Sequence, residues 1–189
     1  MNIAIDIDDT LTNSFEYFQP YVAEYFGTDP SEARKAGISY SNLPKEWAAD
    51  EIGFCRRYFD SIAEYTPFKP DAADGVRRLR AAGHRIIIIT GRTKLLYTDP
   101  YETTRRELIN GNIEYDRLIC TFDKEAACRK ENIALLIDDM PRNCEAAQRA
   151  GAAAVLFDSA ANRKAVSRFP RVYDWDGAVC EVERILSKK

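Results

Sequence analysis

Four consecutive isoleucines, Ile86-Ile87-Ile88-Ile89, constrain this chain more than any other feature. Successive strand side chains point to opposite faces, so a run that is apolar and β-branched throughout needs cover on both sides. A parallel sheet between two helical layers supplies that cover. The isoleucines sit in a run from Arg85 to Thr90. Similar short runs occur at Ile3 to Ile7, Leu118 to Cys120, Ile133 to Ile137 and Ala153 to Phe157, with a sixth at Arg171 to Tyr173. Helical patterns lie between them. Asp71 to Ala82 carries Val76 and Leu79 on one face and stops at Gly83, a residue suited to ending a helix. Asp99-Pro100-x-Glu102 offers a cap, a first-turn proline and an acidic third position to a helix reaching about Asn110. Lys124 to Glu131 and Pro141 to Ala150 continue the alternation, and Gly151 closes the last of them. This order predicts a doubly wound α/β sheet, whose ligands sit beyond the carboxyl ends of the strands.

Residues 13 to 69 break the rhythm, because they hold no strand-like run. Phe15, Phe18, Val22, Tyr25 and Phe26 recur at roughly helical spacing, with Pro20 expected to kink or interrupt that helix. A second helical pattern runs from about Trp47 to Tyr65. The expectation is a core of residues 1–12 and 70–189, with 13–69 as a helical insertion after the first strand. The insertion holds 13 of the 21 aromatic residues, so most of them must build its own core. Phe15, Phe18, Tyr40 and Trp47 are the candidates for lining a pocket for a planar group.

Composition narrows the partners. A net charge of -3 leaves no basic footprint for a nucleic-acid polymer and no polybasic membrane anchor. No apolar run approaches the ~18 residues of a membrane span. The five cysteines (Cys55, Cys120, Cys128, Cys144, Cys180) are scattered and form no C-x-x-C pair, which suits free thiols in a reducing cytoplasm. Nor does the N-terminus read as a signal peptide.

Chemistry gathers at the strand ends. Asp6-Ile7-Asp8-Asp9-Thr10 follows the first strand, and strand alternation would turn Asp6 and Asp8 the same way, into the crevice. Such a cluster can also be a mere turn or cap, which Asp and Thr favour. However, Asp138-Asp139 repeats it at the end of the fourth strand, and two acidic clusters there can converge on a hard cation, most plausibly Mg²⁺. Thr90-Gly91-Arg92 ends the second strand with a hydroxyl and an unhindered backbone N–H for phosphate. Lys124 opens the helix after the third, within reach of the same mouth.

In order, Asp6-Ile7-Asp8-Asp9-Thr10, Thr90, Lys124 and Asp138-Asp139 resemble the four motifs of the haloacid dehalogenase superfamily. The likeness spans residues 1 to about 158. The run from Lys124 to Asp139, followed by Pro141, is most similar to the 5'(3')-deoxyribonucleotidase-like branch and its bacterial relatives. The resemblance implies a Rossmann-like core with a helical cap at the place of the insertion. It implies a phosphomonoester hydrolase working through an aspartyl-phosphate on Asp6, acting on a small phosphorylated substrate such as a nucleoside 5'-monophosphate. Asp6 would attack phosphorus as an ionised carboxylate. Asp8 would protonate the leaving oxygen and then deprotonate water, given a raised pKa. Asp6, the Asp8 carbonyl and the Asp138-Asp139 pair would hold Mg²⁺, with Asp139 favoured as the direct ligand. Thr90, Gly91 and Lys124 would hold the phosphoryl oxygens. Displacing halide needs no acid at Asp8, whereas expelling an alkoxide does, which favours a phosphatase.

Other readings stay beside this one. His84 is the single histidine and follows Gly83 at the far end of its strand, a structural or surface position. Arg92 either meets substrate or pairs with neighbouring acids. A response-regulator receiver uses similar residues but places its phosphorylated Asp after strand three and its Thr after strand four. A phosphotransferase, a phosphatase of another small organic phosphate, and a non-catalytic binding protein of the same fold remain as alternatives.

Overall fold

The computed structural model of the protein describes residues 1–35, 44–45 and 50–187. Among these, the strands are β1 (Asn2–Ile5), β2 (Arg85–Thr90), β3 (Arg117–Cys120), β4 (Ile133–Asp138), β5 (Ala153–Phe157) and β6 (Arg171–Val172). The helices are α1 (Ser14–Phe26), α2 (Pro30–Lys35), α3 (Glu51–Tyr65), α4 (Ala72–Ala81), α5 (Pro100–Asn110), α6 (Lys124–Lys130), α7 (Pro141–Arg149) and α8 (Trp175–Leu186). The strands form one parallel sheet in the order β3-β2-β1-β4-β5-β6.

The isoleucine run does what its pattern requires. Ile86 and Ile88 pack with Val76 and Leu79 of α4 and with Trp175 and Val179 of α8. Ile87 and Ile89 face the other way, onto Ala127 and Cys128 of α6 and Cys144 and Ala147 of α7. All four isoleucines are fully buried. The sheet is therefore covered on both faces, as a doubly wound α/β fold demands. Side-chain caps start the helices that follow β2 and β3. Asp99 accepts the Glu102 N–H at 3.0 Å, and Asp123 accepts that of Ala126 at 2.9 Å.

From β1 the chain winds outward through β2 to β3, then crosses back to lay β4 on the other side of β1. That reversal opens a crevice at the carboxyl ends of β1 and β4. The Asp6 N–H donates to the Ile137 carbonyl at 3.0 Å, carrying the β1–β4 ladder one residue past the strand and setting Asp6 beside Asp138.

Helices α1 to α3 occupy the stretch between β1 and α4. The chain leaves and returns side by side. An isolated antiparallel bridge pairs Thr12 with Phe68, and the Asn13 N–H donates to the Pro67 carbonyl at 2.9 Å. Phe18, Val22, Phe54 and Phe59 form a separate aromatic-rich core, joined by Leu96 and Tyr97 from the β2–α5 loop. The Phe18 and Phe54 rings meet edge to face at 5.1 Å.

Three local expectations change. Strand β1 ends at Ile5, so strand alternation does not place Asp8. The following turn does, with the Ile7 carbonyl accepting from the N–H groups of Thr10, Leu11 and Thr12 and with Asp9 at φ 57°. Pro20 does not break α1, which runs unbroken to Phe26, because the buried face of Phe15, Phe18 and Val22 outweighs one missing N–H. Helix α8, absent from the expected elements, packs Trp175 against Phe157 at 5.7 Å and closes one face of the sheet. Tyr40 and Trp47 lie outside the described residues. No helix among the described residues is long and apolar enough to cross a membrane, and all five cysteines are free thiols.

Candidate active site

Lys124 organises the floor of the crevice. It is buried at the start of α6, and its Nζ lies 2.7 Å from both Asp6 Oδ1 and Asp138 Oδ2. Burial disfavours the Lys124 charge, yet Asp138 and Asp6 together raise its pKa above the ordinary lysine value. Burial also pushes the Asp6 carboxyl up to about 7, against the pull of Lys124. Burial thus works against the ionised carboxylate expected at Asp6, and Lys124 works for it.

The carboxylate oxygens of Asp6, Asp138 and Asp139 lie within 4.8 Å of one another. Asp138 is fully engaged. Its Oδ1 accepts from the Met140 N–H at 2.8 Å and the Asn143 amide at 2.9 Å, and its Oδ2 accepts from Lys124. Asp139 is different. Among the described residues only its Oδ2 is hydrogen-bonded, by Ser159 at 3.2 Å, and burial with Asp9, Asp138 and Asp6 nearby holds its carboxyl well above the usual range. An all-oxygen set with unspent lone pairs and mutual repulsion fits a hard divalent cation. Asp139 and Asp6 have the donor capacity for it, whereas Asp138 serves chiefly to orient Lys124 and Asn143. The Asp8 carboxylate is outside this group, which leaves that residue only its backbone carbonyl to offer an ion.

Asp8 faces Arg92 instead. Arg92 NH2 donates to Asp8 Oδ1 at 2.8 Å and Nε to Oδ2 at 3.2 Å, while Ser14 Oγ donates to Oδ1 at 2.9 Å. On its other side the guanidinium bonds both oxygens of Glu107, through NH1 to Oε2 and through NH2 to Oε1 at 3.2 Å. Arg92 and Glu107 are only 2% and 1% exposed, whereas Asp8 is 43% exposed. Burial would raise the Asp8 carboxyl, but Arg92 and Ser14 outweigh it and hold Asp8 below the ordinary carboxylate range. The upward tuning expected of a general acid is thus not present at Asp8 in this arrangement. Arg92 pairs with the neighbouring acids and also borders the cavity.

Thr90 is buried, and its hydroxyl has no hydrogen-bond partner among the described residues. A polar atom left that way at a strand end is suited to an oxyanion. Gly91 lines the cavity, and a Cβ there would meet the Phe122 ring at 3.4 Å, an ordinary contact. Asp6, Asp8, Gly91, Lys124 and Asp139 all border one cavity of about 580 Å³. Its far wall is apolar, made by Phe15, Phe18, Phe59, Ile62, Leu96 and Tyr97. Arg142 and Arg149 of α7 line it as well. Sequence reasoning missed Asn143, Ser159, Asn162 and Glu107. Asn162 donates to the Asp139 carbonyl at 2.5 Å and to the Phe157 carbonyl at 2.7 Å, fixing the loop behind the acidic pair. Asn143, five residues past Asp138 in the first turn of a helix, carried a local signal. The other three act across the fold and carried none.

No protein-family model matches the chain. A nucleotidase of Clostridium acetobutylicum is 28% identical over all of this chain and 96% of its own length. Among solved structures, a haloacid dehalogenase-like family hydrolase from Streptococcus pneumoniae superposes with a TM-score of 0.66 at 15% identity, covering 98% of this chain and 97% of that one. A HAD family hydrolase from Deinococcus radiodurans R1, solved with bound phosphate and sodium, gives 0.57 at 16% identity over 99% and 95%. The fold is that of the haloacid dehalogenase-like hydrolases. The likeness extends over nearly the whole chain.

Proposed function

We propose that this chain is a Mg²⁺-dependent phosphomonoester hydrolase that works through an aspartyl-phosphate on Asp6. One observation carries the reading: Lys124 ties Asp6 to Asp138 at the floor of a substrate-sized cavity, with Asp139 close enough to share an ion. Asp6, Asp139 and the Asp8 carbonyl would hold Mg²⁺, with Asp138 behind them. The ion would keep Asp6 ionised and offset the charge of the phosphate.

The chain's own groups divide the rest. An Asp6 oxygen bonds to phosphorus as the ester P–O bond breaks, and Asp8 gives its proton to the leaving oxygen. Water then attacks phosphorus and gives one of its own protons to Asp8, and the Asp6–phosphorus bond breaks to release inorganic phosphate. Lys124, the Gly91 N–H and the Thr90 hydroxyl hold the transferring oxygens. Asp8 must first acquire its proton against Arg92, and the negative phosphate arriving beside it favours that.

Residues 13–69 serve as a cap over a core of 1–12 and 70–189. The antiparallel bridge between Thr12 and Phe68 supports these boundaries. The cap's apolar wall with the Arg142 and Arg149 side favours a planar leaving group carrying one phosphate. With the Clostridium acetobutylicum nucleotidase as a relative, we take that to be a nucleoside 5'-monophosphate, including pyrimidine deoxynucleotides. The five free thiols suit a cytoplasmic site of action. The test is kcat/KM for nucleoside monophosphates against sugar phosphates and aryl phosphates. Nucleotides should lead. Equal values would remove the nucleotide assignment and leave a general phosphatase, and no phosphate release from any ester with Mg²⁺ would remove both.

A further inference from the structure

We propose that Arg92, braced by Glu107, is a positioning residue that sets the direction of the Asp8 carboxylate toward the leaving group. This rests on the acid role given to Asp8 above. Asp8 sits on a turn with its side chain 43% exposed, and from its own segment the Ser14 hydroxyl holds one of its oxygens. A guanidinium is a planar fork that can dictate the plane of a carboxylate it bonds twice. Here that fork gives two further donors to Glu107, a fully buried carboxylate on α5 that lies outside both the cavity lining and the acidic trio. The Tyr97 ring lies under the guanidinium at 5.5 Å and blocks its other escape.

Arg92 borders the cavity, but the bonds it makes go to Asp8 and Glu107, and its contribution passes through Asp8. The contacts on Asp8 are unequal. Oδ1 is doubly held, by Arg92 NH2 at 2.8 Å and Ser14 Oγ at 2.9 Å, while Oδ2 has only the 3.2 Å contact from Arg92 Nε. Oδ2 is the oxygen free to be presented to the leaving group and to carry the proton. Glu107 is the anchor of this arrangement. Replacing it with Gln puts an N–H₂ where Arg92 needs an acceptor, so one of the two contacts becomes donor against donor and the fork tilts.

The experiment measures kcat/KM across substituted phenyl phosphates, which keep shape nearly constant while the leaving group changes. For an enzyme with a covalent intermediate, kcat/KM reports the steps up to leaving-group departure. The dependence on leaving group is a ratio within one preparation and is unaffected by partial unfolding. Glu107→Gln and Arg92→Lys should each lower phenyl phosphate relative to 4-nitrophenyl phosphate by about tenfold, part of the 10²–10⁴-fold a general acid contributes. Asp8→Asn should steepen the dependence at least as much, and Asp8→Asn combined with Glu107→Gln should steepen it no further than Asp8→Asn alone. If Asp8→Asn is steep while Glu107→Gln and Arg92→Lys match the wild type, the positioning role is overturned and the acid role stands. If Asp8→Asn itself keeps the wild-type dependence, the acid role falls and takes this proposal with it.

Discussion

Asp6 carries two conflicting demands in one side chain. A nucleophile should be ionised, yet burial lifts this carboxyl to about 7 with Lys124 at 2.7 Å pulling the other way. The conflict predicts the behaviour of Asp6→Asn. Asparagine keeps the shape and an oxygen to accept from Lys124, and it removes a charge that burial disfavours. The variant should fold with a melting temperature at or above that of the wild type and release no phosphate from an aryl ester. Turnover above a trace in a freshly purified sample would remove Asp6 from the nucleophile's place. A variant that unfolds instead would show that Asp6 holds the site together rather than serving it.

At the scale of elements, α4 and α8 pack on one another closely enough to exclude a side chain. Gly75 on α4 marks the contact, since a Cβ there would lie 2.6 Å from the Trp175 ring of α8. Its backbone is ordinary, so the requirement for glycine is packing alone. Gly75→Ala should destabilise the protein by about 1–3 kcal/mol, the usual cost of overfilling a packed core. Denaturant unfolding measures it, and a neutral or stabilising change would mean that α8 is free to shift away. The same contact explains why Trp175 can reach across to donate its indole N–H to the Thr10 carbonyl at 3.3 Å, tying the last helix to the turn that carries Asp8 and Asp9.

For the molecule as a whole, the acidic trio is a cost when empty. Three carboxylates gathered in a buried cleft repel one another, with Lys124 as the neutralising cation among them. An ion that binds the folded state only should raise stability by about 2.7 kcal/mol at a hundredfold excess over its dissociation constant. For a chain of this size that is roughly 5–10 °C in Tm. Mg²⁺ should produce such a rise in the wild type, and Asp139→Asn should abolish most of it. Excess chelator should also stop phosphate release, and Mg²⁺ should restore it. A melting temperature indifferent to Mg²⁺, with full activity in chelator, would contradict the ion site.

Much of this was legible along the chain, for reasons that are local. Ile86 to Ile89 announce a strand covered on both faces because period and branching are properties of adjacent residues. Asp99-Pro100-x-Glu102 announces a helix start because a cap acts over three residues. The acidic and lysine positions at strand ends were readable because a parallel sheet brings all its carboxyl ends to one edge. What lay out of reach depends on elements meeting. Glu107 became the partner of Arg92 only when α5 settled beside the end of β2, and Ser159 and Asn162 reached Asp139 only through the loop after β5. Pro20 stayed inside α1 because a packed aromatic face outweighed a local rule. The protonation preferences of Asp6 and Asp8 were likewise tertiary, since burial and a guanidinium 84 positions away set them. The sequence by itself determined the sheet, its order of helices and the residues delivered to its edge. The tertiary structure decided which of those residues face one another and how strongly each holds its charge, because electrostatics and packing act through space between segments that the chain keeps far apart.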